Sequence, residues 1–155
     1  PLQKRRCIMG KRFTNARRMR FSECDTAGIA FYPRLVEGVN NTVEDWFETG
    51  LDFSFREMHL EAHCGVPTRS LQVEFENPAG LGELIEWSLQ VTKLGRSSIQ
   101  LWVEAIRPDG RRVLYATPTL IWCDFSGEGP KPAEIPAVLR EKMMPYLRSD
   151  EDLAP

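Results

Sequence analysis

The sequence predicts an α+β domain in which a curved, five-stranded, mainly antiparallel sheet wraps one long helix. Four segments between residues 71 and 123 are strand-like, and three of them place apolar residues at every second position. Residues 33–49 instead set Val36, Val39, Val43, Trp46 and Phe47 at helical spacing, which makes one apolar stripe. Short turn signals, Leu94-Gly95-Arg96 and Pro108-Asp109-Gly110, join successive strands as hairpins. A striped helix and a one-faced sheet each need a partner, and packing one on the other buries both apolar faces.

In chain order, residues 1–16 read as a basic N-terminal extension, 17–150 as one domain and 151–155 as a tail. The basic cluster (Lys4, Arg5, Arg6, Lys11, Arg12, Arg17, Arg18, Arg20) reads as a solvated extension and a charged edge strand; a phosphate-rich ligand is the lesser reading. A weak strand is expected through Met19 and Phe21. The long helix follows, with Pro33 in its first turn, where a missing N–H costs nothing, and Gly50 at its end as a left-handed cap. Three alternating strands come next: Leu71, Val73 and Phe75; then Ile85, Trp87, Leu89 and Val91; then Ile99, Leu101, Val103 and Ala105. Residues 113–123 are more continuously apolar, and Pro118 interrupts their ladder. After a Gly/Pro-rich loop at 124–133, a terminal helix from Ile135 or Pro136 carries Val138, Leu139, Met143 and Leu147.

With 155 residues the chain can bury about 70% of its unfolded surface, so it needs neither disulfide nor metal to hold a core. A net charge of −2 argues against a general nucleic-acid binder. There is no apolar run long enough for a membrane span, and Cys7, Cys24, Cys64 and Cys123 show no paired spacing. A cytoplasmic protein with free thiols is expected.

The run Cys24-Asp25-Thr26-Ala27-Gly28-Ile29-Ala30-Phe31-Tyr32-Pro33 bears the chemistry. It joins the first strand to the long helix. Backbone N–H groups at a helix start have no partner inside the helix, and the dipole there favours negative charge. A thioester carbonyl at that end finds donors for its developing oxyanion. A carboxylate a few residues upstream can attack that carbonyl or activate water. An Asp is ionised at neutral pH unless burial or a like charge prevents it. An Asp before a helix is also commonly a turn or cap residue, and the residues alone leave both readings open.

This run, followed by the long helix, resembles the signature of hotdog-fold acyl-CoA thioesterases of the 4-hydroxybenzoyl-CoA type, and the order of elements agrees from about Arg18 to Leu147. The resemblance implies that Asp25 is the catalytic carboxylate, as nucleophile or general base, and that the Tyr32 backbone N–H polarises the thioester carbonyl. Gly28, Phe31 and Pro33 of the same run are expected to contact the substrate, and Tyr32-Pro33 is closer to the aroyl-CoA branch. The resemblance also implies a homodimer with sheets joined edge to edge, often paired into a tetramer, with each active site at a subunit interface. In the turn Lys93-Leu94-Gly95-Arg96-Ser97-Ser98, it implies that Lys93 and Arg96 meet coenzyme A phosphates and that Ser97 and Ser98 meet the pantetheine arm. As sequence alone this turn is a solvated hairpin.

The expected reaction is hydrolysis of an aroyl-CoA or short acyl-CoA to the acid and coenzyme A, with no cofactor; coenzyme A is part of the substrate. The alternative is a non-catalytic acyl-CoA-binding or regulatory module, which has little use for Asp25. A hydratase, needing a paired Asp and His, is poorly served by Asp52 and His59. His59 and His63 stand four apart but lack a metalloprotease pattern, so no metal is expected. Glu37 and Glu44 on the helix, and Trp102, read as structural.

Overall fold

The computed structural model describes residues 10–149. Lys4, Arg5, Arg6, Cys7 and the tail at 151–155 lie outside the described residues. The chain forms β1 (Phe13–Arg18), α1 (Tyr32–Asp45), α2 (Phe55–Leu60), β2 (Cys64–Gly65), β3 (Thr68–Ser70) and β4 (Val73–Phe75). There follow β5 (Leu84–Leu94), β6 (Ser98–Ile106), β7 (Arg112–Ala116), β8 (Thr119–Ile121), β9 (Cys123–Asp124), β10 (Lys131–Pro132) and α3 (Ala137–Met143).

The main sheet runs β1-β5-β6-β7-β4, with β8 beside β6 and β3 beside β8, all antiparallel. β7 and β8 are one strand interrupted at Thr117 and Pro118, and β4 and β3 together edge the sheet, so it has five strand positions. The break falls where Pro118 withholds a ladder donor. A small sheet, β10-β9-β2, stands apart.

The helix stripe is buried as its spacing requires: Val39, Val43, Trp46 and Phe47 are covered, joined by Leu35, Gly38 and Thr42, while Val36 is half-buried. Gly38 decides how closely helix and sheet approach. A Cβ there would overlap the indole of Trp87 on β5, so glycine lets α1 lie directly on that ring.

The first strand departs from expectation. It is Phe13–Arg18, not a segment through Met19 and Phe21, so residues 13–16 of the expected extension pair with β5. Its inward residues are Phe13, Asn15 and Arg17, and two of these are polar, so no apolar alternation marks the strand. Asn15 and Arg17 instead reach α1. Asn15 Nδ2 and Arg17 Nη1 donate to Asp45 at 2.6 and 3.0 Å, and Arg17 Nη2 donates to the Gly38 carbonyl at 2.8 Å. The guanidinium also lies over Trp87, 4.8 Å from its ring centre. Burial pulls the Arg17 pKa down, opposed by Asp45.

Three other elements differ. Gly50 is not left-handed; the helix ends in a π turn, Trp46–Gly50, and Asp52 takes the positive φ of 53°. Gly50 is small because Trp46 and Tyr146 occupy its flank. Leu71 lies before β4 and is exposed. Residues 55–60, outside the two expected helices, form α2, started by a Ser54/Glu57 capping box. No helix among the described residues is long and apolar enough to cross a membrane.

Candidate active site

The loop between β1 and α1 is folded on itself and tied to the sheet. The Asp25 N–H donates to the Ile29 carbonyl (3.0 Å), and the Gly28 N–H donates back to the Asp25 carbonyl (3.0 Å). Gly28 supplies the φ of +76° that this turn needs. Two bonds anchor the loop to residues 79–81: the Ala30 N–H donates to the Ala79 carbonyl (2.7 Å), and the Leu81 N–H to the Gly28 carbonyl (2.9 Å).

Asp25 is exposed at the loop tip. Its Oδ1 accepts from the Ala27 N–H at 2.8 Å, which orients the carboxylate, and Oδ2 has no hydrogen-bond partner among the described residues. At the helix start, the Phe31 N–H is taken by the Glu23 carbonyl (2.8 Å), the Arg34 N–H by the Phe31 carbonyl (2.9 Å), and Pro33 has none. The Tyr32 N–H has no acceptor among the described residues. A carboxylate and an open backbone N–H are thus held one loop apart.

Beside them is an open cavity of about 540 Å³, lined by Asp25, Thr26, Cys24, Gly28 and the apolar side chains of Phe21, Phe31 and Leu81. Phe21 is 84% exposed and Tyr32 62% exposed. Phe31, Tyr32 and Phe75 form an edge-to-face chain, with ring centres 5.7 and 6.1 Å apart. So Asp25, Gly28 and Phe31 share one cavity, and Tyr32 and Pro33 follow at its helix. The sequence reading missed Phe21 and Leu81 as cavity walls; their exposure is a tertiary property, although the turn-rich run Pro78-Ala79-Gly80-Leu81-Gly82 marks the anchoring segment. Cys24 lines the cavity too. Its thiol is pushed up, by burial first and then by Glu23 and Asp25, so it is no activated nucleophile.

The second group of residues lies elsewhere. Lys93, Arg96, Ser97 and Ser98 form the β5–β6 turn, while the Asp25 loop meets the other end of β5, where the Met19 N–H donates to the Glu83 carbonyl. Along an 11-residue strand that is about 30 Å. Within one subunit the two groups do not meet. The turn's backbone is occupied: the Arg96 carbonyl accepts from the Ile135 N–H and the Ser97 carbonyl from the Trp122 N–H. Lys93 and Arg96 are exposed, with Arg96 3.9 Å from Glu134, while Ser97 and Ser98 are half-buried.

Among the other candidates, Glu37 is exposed and paired with Arg34 at 2.9 Å. Trp102 is on the sheet face away from α1, stacked on Tyr115 with ring centres 4.7 Å apart. His59 packs edge-on against Phe55 and Phe125. No cluster of three His, Cys, Asp or Glu suited to a metal occurs among the described residues.

No curated protein sequence matches the chain. Several solved structures share its fold. The 4-hydroxybenzoyl-CoA thioesterase from Pseudomonas sp. strain CBS-3 is 22% identical, with a TM-score of 0.78 over 86% of this chain and 99% of that one. A 1,4-dihydroxy-2-naphthoyl-CoA thioesterase from Synechocystis is 16% identical, with a TM-score of 0.77 over 86% and 96%. A gentisyl-coenzyme A thioesterase is 23% identical, with a TM-score of 0.73 over 83% and 99%. These likenesses establish the hotdog fold. The sequence profile of the thioesterase-like superfamily matches residues 19–143, from the end of β1 to the end of α3, and the chain belongs to that superfamily.

Proposed function

We propose that the protein hydrolyses an acyl-CoA thioester to a carboxylic acid and free coenzyme A, with Asp25 as the reacting carboxylate. The observation behind this reading is the pairing of an oriented Asp25 carboxylate with the unpartnered Tyr32 N–H at the start of α1, beside an apolar-walled cavity. The acyl group would lie against Phe21, Phe31 and Leu81. The Tyr32 N–H would donate to the carbonyl oxygen as it gains charge. Asp25 Oδ2 would either attack the carbonyl carbon or take a proton from the attacking water. In both routes the C–S bond breaks, the thiolate takes up a proton, and water supplies the hydroxyl of the acid. No metal or redox group enters the scheme.

An aroyl group is the favoured acyl part, because two phenyl rings, Phe21 and Phe31, line the cavity and the related structures named above are aroyl-CoA thioesterases. Solved structures of this fold also hold 4-hydroxybenzoyl-CoA or coenzyme A. The exposed Phe21, Phe31 and Tyr32 leave an apolar surface that a second copy would cover, so the working enzyme is a homodimer, itself able to pair into a tetramer. Lys93, Arg96, Ser97 and Ser98 of one copy would then serve coenzyme A bound at the other's Asp25, which resolves their separation within a subunit.

Free thiol release from a panel of aroyl-CoA and short aliphatic acyl-CoA esters tests the reaction. Binding without release from any member would favour the acyl-CoA-binding module instead. Two variants test the parts. Tyr32→Pro removes the N–H at a helix position that accepts proline, and should lower kcat by about 100- to 1,000-fold, while Tyr32→Phe keeps turnover. Arg96→Glu should raise KM for acyl-CoA more than it lowers kcat; an unchanged KM removes Arg96 from the coenzyme A contact.

A further inference from the structure

A second cavity lies at the opposite end of α1 from Asp25, about 25 Å away along the helix. Its volume, about 550 Å³, falls within the range of small-molecule sites. Its apolar surface comes from Phe53, Cys64, Trp122 and Leu139, with the Phe53 and Trp122 rings 6.3 Å apart and inclined at 37°. Val138, at its rim, is 68% exposed.

The backbone around it is unusual. Asp52 and His63 are the non-glycine residues with positive φ among the described residues, at 53° and 48°. Asp52 lines the cavity, and His63 directly precedes its wall residue Cys64. The π turn that ends the long helix leads straight into Asp52. Strained backbone and π turns concentrate at functional sites.

Charge at the opening favours a cation. Asp52 and Asp124 both line it. Asp124 accepts from the Ser126 N–H at 2.8 Å and lies within the field of Lys131. The Asp52 carboxylate makes no hydrogen bond or ion pair among the described residues. Lys142, the one lining ammonium, is held on the Leu51 carbonyl at 3.0 Å.

We propose that this cavity is a second ligand site, for a compact hydrophobe bearing one ammonium group, with its apolar body against Phe53, Trp122 and Leu139 and its cation at Asp52. The site is separate from the one around Asp25, which lies at the other end of α1.

Calorimetric titration with 4-phenylbutylammonium, 4-phenylbutanol and 4-phenylbutanoate tests this. The ammonium compound should bind saturably and about three- to fivefold more tightly than the other two, a preference one exposed charge contact can supply. Asp52→Asn should erase the preference, since Asn tolerates the left-handed backbone and loses only the charge. Val138→Trp, at an exposed rim position, should block binding without disturbing the core. Asp25→Asn should leave binding unchanged. The proposal fails if no probe saturates, if all three bind alike, if the carboxylate binds best, or if Asp25→Asn rather than Val138→Trp abolishes binding.

Discussion

Asp25→Asn is expected to lower the rate of thiol release at least about a hundredfold, in line with losing a principal acid–base or nucleophilic group. Asparagine is the informative replacement because the loop survives it. Its side-chain oxygen still accepts from the Ala27 N–H, and the main-chain bonds to Ile29 and Gly28 are unaffected. What disappears is the negative charge and the ability to attack or to take a proton. KM should change much less than kcat, since the cavity walls are untouched. Glu37→Gln is the matching control, because Glu37 is a carboxylate on the helix that follows the Asp25 loop, paired with Arg34 and exposed. Loss of turnover in Glu37→Gln with turnover kept in Asp25→Asn would transfer the catalytic role to the helix.

Trp46→Ala should cost about 3–5 kcal/mol of stability, measured by urea unfolding. Trp46 is fully buried and packs edge-to-face on Phe47 and Tyr146, with ring centres 5.2 and 5.7 Å away. Removing it opens a large void where helix, π turn and C-terminal segment meet. Trp46→Phe should cost far less. The indole Nε1 is buried with no hydrogen-bond partner, a penalty of about 1–3 kcal/mol that phenylalanine sheds while keeping most of the ring contacts. Equal losses in the two variants would show that ring size, and not the unpartnered N–H, governs this position.

Much of the site was legible because its signal is local. Asp25, Gly28 and Phe31 lie within seven residues, and the helix start follows from Pro33 and the stripe behind it, so the loop that sets the carboxylate near the Tyr32 N–H is a short-range consequence of the chain. The resemblance of this run to a known signature supplied the roles that residue chemistry left open. Phe21 and Leu81 were not legible as cavity walls. They lie on different segments, brought together by the bonds from Ala30 to Ala79, Leu81 to Gly28, Met19 to Glu83 and Gly82 to Met19.

The sequence by itself determined the α+β class, the long helix, the hairpins on either side of β6 and the interruption at Pro118, because periodicity and turn chemistry act over a few residues. Tertiary structure decided what depends on distant partners. It drew the polar residues Asn15 and Arg17 inward to Asp45, making a strand of a segment without apolar alternation. It brought α1 onto Trp87 through Gly38, and it placed the Lys93–Ser98 turn at the far end of β5 from Asp25. None of these has a local pattern, since each is set by which surfaces meet once sheet and helix bury one another.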